Sequence, residues 1–204
     1  MALLKIARMG HPILRASAAP VEDPTAPEIN ELVTNMIETM HDADGTGLAA
    51  PQVYVPKRIV VFYVGGPRIE PGDDQEPNPY EGPVPLTVLI NPEIEPLSEE
   101  TALGWEGCLS VPDMLGAVPR YTEIRYRGIT HEGEEIDRIA HGFHARVVQH
   151  ECDHLDGTLY PMRVPDLTLF GFAKEMELMM AAQKQLEEEQ LEEARLAEEA
   201  ADQG

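Results

Sequence analysis

The chain has 204 residues, of which 43% are hydrophobic and 25% are charged, and its 37 acidic and 15 basic residues give a formal net charge of −22. This balance is typical of one soluble globular domain, and so acidic a chain argues against nucleic acid or an anionic membrane as the main partner. No apolar run approaches the ~18 residues of a membrane span, and two cysteines cannot form a disulfide framework. We therefore expect a cytoplasmic protein.

The first predicted element is a helix over residues 25–42. Its apolar residues recur at helical spacing, which predicts one buried face, and Thr25 followed by Glu28 is typical of a capping box at the helix start. Short β-branched runs then predict buried strands over 58–64 and 86–90. The segment between them, residues 65–85, has Gly or Pro at ten of its 21 positions and is predicted to be an extended surface loop.

Further along the chain, residues 121–129 and 134–139 are predicted to be paired strands joined by a turn at 131–133. A second helix is predicted over 140–155, with Gly157 at the position that commonly ends a helix. These elements indicate an α+β fold with mostly antiparallel sheets packed around that second helix.

A third helix is predicted to begin near Asp166, directly after Pro165. From residue 186 onward the chain carries eight acids and one arginine, which is typical of a solvated helix end or a disordered tail. The fold therefore has an N-terminal and a C-terminal helix in addition to the central one. We expect one catalytic domain over 1–165, with 166–204 forming the C-terminal helix and acidic tail rather than a separate domain.

The second predicted helix carries an H-E-x-x-H motif. At about 100° per residue, His150 and His154 point to one helix face one turn apart, so both imidazoles can bind the same metal ion. Glu151 lies at the flank of that face, where a carboxylate can reach a metal-bound water without being a ligand. The alternative is a pair of hydrogen-bonded core histidines. Cys152 points to the far side and is predicted to be a small buried residue.

An open tetrahedral site needs a third protein ligand. Downstream of the helix, Asp156, Glu175 and Glu177 are available but stand in no matching motif. Cys108 is the better candidate, because the adjacent Gly107 lets backbone and ligand come close to a metal at little steric cost. A lone cysteine is nevertheless more often a buried apolar residue.

A third segment, GTGLAAPQ at residues 45–52, has small residues before Gln52. This pattern indicates either backbone that another group approaches closely, with an amide donor beyond it, or a simple helix-to-strand turn. In this order and at these separations, GTGLAAPQ, EGCLS and HECDH closely resemble the motifs of peptide deformylase. That family removes the N-formyl group from the initiator methionine of new bacterial and organellar polypeptides. The resemblance covers roughly residues 1–172.

The resemblance implies three metal ligands, namely Cys108, His150 and His154. It also implies that Glu151 is the general base and acid and that Gln52 forms the oxyanion site with the backbone N–H of Leu109. The expected metal is Fe²⁺, for which Zn²⁺, Ni²⁺ or Co²⁺ can substitute, although the ligand types alone would favour zinc.

The implied substrates are newly synthesised N-formyl-methionyl peptides, which are hydrolysed with release of formate in the bacterial cytoplasm. Transient proximity to the ribosome is expected, without direct nucleic-acid or membrane binding. Phe143 and Val147 are expected to line the methionine pocket, and crowding at Gly47 and Gly107 to exclude an acetyl group. Downstream substrate residues are expected to add as a strand. The full set of predicted substrate contacts is Thr46, Gly47, Gly107, Phe143, Arg146 and Val147.

Four positions depart from the common bacterial pattern of the family and leave the side-chain preference of the pocket open: Thr46, Pro51, Leu115 and Arg146. Two other functions also remain. A zincin-like endopeptidase would need a downstream third ligand, and a structural or metal-storage site would normally fill all four coordination positions with protein ligands.

Overall fold

The computed structural model describes residues 2–65 and 83–202. Three α-helices lie within these ranges: α1 (Pro27–Asp42), α2 (Gly142–Leu155) and α3 (Ala173–Asp202). The strands described there are β1 (Gly47–Ala49), β2 (Ile59–Val64), β3 (Val84–Pro96), β4 (Thr101–Cys108), β5 (Val111–Tyr121), β6 (Glu123–Ile129), β7 (Glu135–His141) and β8 (Phe170–Phe172).

The strands form two antiparallel sheets with the central helix between them. The larger sheet has the order β1-β2-β3-β6-β7 and the smaller one the order β4-β5-β8. The helix α2 contacts β1 and β2 of the larger sheet and β5 of the smaller sheet. The predicted α+β arrangement is confirmed. The loop predicted over 65–85 lies mostly outside the described residues, and its last two positions belong to β3.

The N-terminal helix α1 forms where the apolar periodicity predicts it. Its buried face includes Met36 and Met40, which are fully buried against the larger sheet, and burial of such a side chain contributes about 1.5–3 kcal/mol. The predicted capping box is wrong. The helix begins at Pro27, and the hydroxyl and N–H of Thr25 both donate to Asp23 instead, at 2.7 and 2.9 Å.

The central helix α2 has two buried faces. Val148, Cys152 and Leu155 recur at helical spacing and pack in the core of the larger sheet, so Cys152 lies on the far side from the histidines as expected. Burial raises the pKa of its thiol well above the ordinary range. The helix ends at Leu155, and Gly157 follows with a φ of +72°, as its position predicted.

Two long strands of the smaller sheet, β4 and β5, are absent from the sequence prediction. Gly104 and Gly107 interrupt the first and Pro112 and Pro119 the second, and these residue types lower strand propensity. Strand pairing stabilises both strands despite their low propensity, because β5 is hydrogen-bonded to β4 along most of its length.

The C-terminal helix begins later than predicted. Asp166 accepts a hydrogen bond from the backbone N–H of Thr168 at 2.8 Å and caps a short 3₁₀ turn. Residues 170–172 then pair with β5 as β8, so α3 cannot begin before Ala173. Among the described residues, no helix combines the length and the apolar run that a bilayer crossing requires.

Candidate metal centre

Three side chains meet between the smaller sheet and α2. Cys108 is the last residue of β4, and His150 and His154 stand one turn apart on the face of α2 opposite its apolar core stripe. Their ligand atoms all lie within 4.8 Å of one another, and Sγ of Cys108 is 3.3 Å from Nε2 of His154. Within residues 2–65 and 83–202, this is the one such group of His, Cys, Asp and Glu side chains.

The donor set fits a divalent metal ion. Nδ1 of His150 donates to Glu106 at 2.9 Å, which leaves its Nε2 free to act as a ligand. Sγ of Cys108 accepts from Gln52 Nε2 at 3.5 Å and from the backbone N–H of Ser110 at 3.4 Å. The group formed by Cys108, His150 and His154 therefore fits a set of metal ligands better than a pair of fully hydrogen-bonded core histidines.

The pKa values of the two histidines are shifted in opposite directions. Burial alone would lower the pKa of His150, but hydrogen bonds with Cys108 and Glu106 outweigh it and raise that pKa well above its usual value. Burial and the neighbouring His150 lower the pKa of His154 well below its usual value. A metal ion bound to both imidazoles would have to replace the proton of His150, because a histidine ligand must be deprotonated.

The downstream acids lie away from this centre. Asp156 pairs with Arg58 at 2.7 Å and its side chain is 61% exposed, while Glu175 and Glu177 are exposed on α3. The third ligand that a zincin-like endopeptidase needs is therefore not supplied from downstream by these residues.

Glu151 is buried beside the ligands and packs against Gly47. A Cβ atom at position 47 would lie 2.6 Å from Cδ of Glu151, so only glycine leaves room for the carboxyl group. Oε2 of Glu151 is buried without a hydrogen-bond partner among the described residues. Burial is the largest influence on this group and raises its pKa to about 7. A carboxyl group of this kind can both accept and donate a proton near neutral pH.

Gln52 lies in a buried 3₁₀ turn directly after β1. Its Oε1 accepts from the backbone N–H of Ala49 at 2.8 Å, and its Nε2 donates to Ser110 at 3.1 Å as well as to Cys108. The amide orientation is therefore set by the fold, with the donor end toward the ligands. Leu109 directly follows Cys108, so its backbone is close to the same ligand.

The sequence analysis missed a buried ion-pair network behind His150. Glu106 accepts two parallel hydrogen bonds from Arg120, both at 2.9 Å, and Arg120 also donates to Asp153 at 2.6 Å. Asp153 in turn accepts from Arg163. The desolvation of Glu106 is outweighed by Arg120 and His150, and its pKa falls to about 2. Simple alternation along β5 does not single out Arg120, because residues 116–118 are all buried.

Tyr160 is a second missed neighbour of His150. Its ring stacks on the imidazole with centroids 6.1 Å apart and planes 24° apart, and its hydroxyl donates to the carbonyl of Met114 at 3.0 Å. Together with Glu106 this fixes both the plane and the tautomer of the imidazole.

The predicted substrate residues fall on several elements around the centre. Gly47 is in β1, Thr46 directly precedes it, and Gly107 is exposed in β4 next to Cys108. Phe143 and Val147 lie on α2 and belong to the core beside the larger sheet, with Val147 buried. Their contacts with substrate remain predictions.

Arg146 also remains a predicted substrate contact, but its guanidinium already has partners within the protein. It lies on α2 one turn before His150 and is 12% exposed. Its acceptors are Glu106 and three backbone carbonyl groups of the smaller sheet.

Known proteins that are similar to this chain include several deformylases. The family model described as polypeptide deformylase matches residues 3–169. Peptide deformylase 2 of Ralstonia nicotianae is 53% identical over 170 residues, which are 83% of this chain and 91% of the relative.

Solved structures give the same result. A class I type b peptide deformylase from Acinetobacter baumannii with bound Met-Ala-Ser matches with a TM-score of 0.70 at 38% identity, over 80% of this chain and 99% of that chain. Peptide deformylase from Ehrlichia chaffeensis matches with a TM-score of 0.71 at 33% identity, over 89% of this chain and 97% of that chain.

Proposed function

Because this chain belongs to the polypeptide deformylase family, we propose that Cys108, His150 and His154 hold one divalent metal ion and that Glu151 transfers the protons of the reaction. The protein is an enzyme, and its activity is the hydrolysis of the N-terminal formyl group of peptides with release of formate. The observation that carries the proposal is the convergence of one thiol and two imidazoles within 4.8 Å beside a buried carboxyl group.

We propose Fe²⁺ as the resident ion, as the family resemblance implies, with Zn²⁺, Ni²⁺ or Co²⁺ as substitutes. One thiolate and two imidazoles suit these ions, and three protein ligands leave a coordination position open. A divalent ion held there supplies Lewis-acid chemistry, which polarises a carbonyl group and lowers the pKa of water to about 7.

Glu151 carries the proton transfers of the proposed mechanism. Hydrolysis adds water to the formyl carbon and breaks the bond from that carbon to the methionine nitrogen. One proton must therefore leave the water and one must reach the departing amine. A carboxyl group with a pKa of about 7 can accept the first proton and deliver it to the amine at neutral pH. The products are formate and a peptide with a free amino terminus.

Gln52 and the backbone N–H of Leu109 stabilise the charge that develops on the formyl oxygen. The backbone of Ala49 holds the amide of Gln52 in a buried turn, and its two N–H donors bind Ser110 at 3.1 Å and Cys108 at 3.5 Å. The longer bond, to Cys108, is the one that gives way to the formyl oxygen. Donors held in advance in this way each contribute on the order of 10²–10³ in rate.

Substrate selection follows from the same surroundings. We propose that the narrow space between Gly47, Gly107 and the bound metal excludes the methyl group of an acetylated substrate, and that Phe143 and Val147 line the methionine pocket. Downstream residues add as a strand beside Thr46, Gly47 and Gly107, since β1 and β4 are both edge strands of their sheets. Backbone recognition of this kind does not depend on the substrate sequence.

We propose newly synthesised N-formyl-methionyl chains in the bacterial cytoplasm as the natural substrates. Transient proximity to the ribosome then follows from where such chains emerge. Direct RNA binding is not proposed, because a net charge of −22 opposes it.

The residue roles are tested by comparing the metal content and the formate release of two variants. Cys108→Ser is expected to lower the number of metal ions bound per chain, because it removes a ligand. Glu151→Gln is expected to keep the metal and lose most formate release from formyl-Met-Ala-Ser, because an amide cannot accept the proton. Cys152→Ser is the matched control, since this thiol is buried on the far face of the same helix. Full metal content in Cys108→Ser, or full turnover in Glu151→Gln, would contradict the assignment.

A further inference from the structure

We propose that Arg146 is a positioning residue that stabilises the metal centre through Glu106 and β4, rather than a residue that binds substrate. The inference rests on the proposed function of the Cys108, His150 and His154 cluster. It assigns to Arg146 two tasks, which are to orient the carboxylate of Glu106 and to tie β4 to α2.

The hydrogen bonds of Arg146 connect one helix to two strands. Both terminal nitrogens of the guanidinium are in use: Nη1 donates to Glu106 Oε1 at 2.8 Å, to the Val118 carbonyl at 2.8 Å and to the Gly104 carbonyl at 3.2 Å, and Nη2 donates to the Ala102 carbonyl at 2.8 Å. A side chain with four acceptors inside the protein has few donors left for a peptide.

These hydrogen bonds connect Arg146 to the proposed metal ligands in two ways. Glu106 accepts from Arg146 on one carboxylate oxygen and from Nδ1 of His150 on the other, so the arginine helps to fix the acceptor that orients this imidazole. The carbonyl groups of Ala102 and Gly104 belong to β4, the strand that ends at the third ligand. Arg146 therefore contacts both the carboxylate that orients His150 and the strand that carries Cys108.

The charges explain why an arginine is needed at this position. Arg120 also binds Glu106, but it is shared with Asp153 at 2.6 Å. Arg146 supplies a second cation to the buried carboxylate, whose side chain is only 4% exposed. Its planar fork can serve a carboxylate and several carbonyl groups together, whereas the single ammonium of lysine cannot.

Gly104 offers an independent way to move the guanidinium. A Cβ atom there would lie 2.7 Å from Nη2 of Arg146, so alanine must displace the end of this flexible side chain. Gly104→Ala therefore perturbs the arginine without removing it. If the only consequence of Gly104→Ala is this displacement, the substitution has no further effect once Arg146 is absent.

The test compares Arg146→Ile, Gly104→Ala and the double variant in protein loaded with Co²⁺. The rate of Co²⁺ loss to a chelator is expected to rise ~10-fold in each single variant, which is the lower end of the range for loss of a direct partner of a metal ligand, because Arg146 acts through Glu106. The visible bands of the Co²⁺–thiolate group are expected to change, and the affinity for Met-Ala-Ser to stay the same. Arg125→Ile is the matched control, because this arginine pairs with Asp137 at the surface.

Four outcomes are informative. A double variant that loses Co²⁺ no faster than Arg146→Ile alone, with Arg146→Lys only partly restoring retention, supports the inference. Effects of the two single substitutions that multiply would contradict it, because the glycine would then act independently of the arginine. Unchanged Co²⁺ retention with weaker Met-Ala-Ser binding would make Arg146 a substrate contact. A wild-type protein that binds no Co²⁺ would instead overturn the proposed function itself.

Discussion

Glu106 and Asp137 offer a direct comparison of a buried and an exposed ion pair with the same geometry. Glu106 receives two parallel hydrogen bonds from Arg120 at 2.9 Å, and both side chains are at most 4% exposed. Asp137 receives two from Arg125 at 2.6 Å, with side chains 45% and 41% exposed. If hydrogen-bond distance determined how much an ion pair contributes to stability, the exposed pair would contribute more than the buried one. We expect the opposite.

The expected loss for Glu106→Gln follows from what remains behind. Removing one partner of a buried pair costs about 3–5 kcal/mol, because the other charge stays buried without its counterion. Since Arg120 keeps Asp153 and Arg146 keeps its three backbone carbonyl acceptors, we expect the lower end, about 3 kcal/mol. For a protein of this size that corresponds to a fall of about 6–12 °C in melting temperature. Asp137→Asn is expected to change the melting temperature little, because water already screens the pair of Asp137 and Arg125.

Thermal unfolding in excess chelator measures both variants without a contribution from bound metal. Circular dichroism and calorimetry should give coincident transitions before the values are compared. Equal losses for the two variants, or a larger loss for Asp137→Asn, would refute the argument that burial determines the strength of these pairs.

Three further changes test the site itself. Gly47→Ala should displace the carboxyl group of Glu151 and lower formate release while the metal is retained, whereas Gly65→Ala, where an added Cβ meets nothing within 4 Å, should have no effect. Gln52→Ala should lower kcat/KM by about 10²–10³ at unchanged metal content, and a fall below tenfold would exclude it from the oxyanion site. Deleting residues 186–204 should leave activity on short peptides unchanged, since the described side chains of this segment are exposed, and a large loss would show that the tail supports the site.

The features that could be predicted from the sequence are those set by local periodicity. Helical spacing alone brings His150 and His154 to one face of α2, and the same spacing puts Cys152 on the other. Cys108 and the amide of Gln52 come from other elements, and no local rule brings them to the helix. Their ordered motifs, read as a family resemblance, supplied that information.

The ion-pair network could not be predicted in this way. Glu106 and Arg120 face each other because β4 and β5 pair, and glycines and prolines obscure both strands in the sequence. Asp153 adds a third element, the central helix. The partners of each charge are therefore a consequence of strand register, which only the folded chain sets.

Arg146 shows the limit of reasoning from a helix face. Its position one turn before His150 correctly indicates the side of α2 that carries the site. A long side chain can nevertheless reach well beyond its own turn, and the guanidinium of Arg146 bonds to β4 and β5. Spacing predicts where such a side chain starts and not where its charge lies.

Formate release is the most direct test of the central claim. Protein purified anaerobically with Fe²⁺ is given formyl-Met-Ala-Ser or acetyl-Met-Ala-Ser, and the bound metal is counted in the same sample. We expect one metal ion per chain, rapid formate release from the first peptide and no release of acetate from the second. One metal ion per chain with no formate release, or hydrolysis of both peptides at similar rates, would contradict that claim.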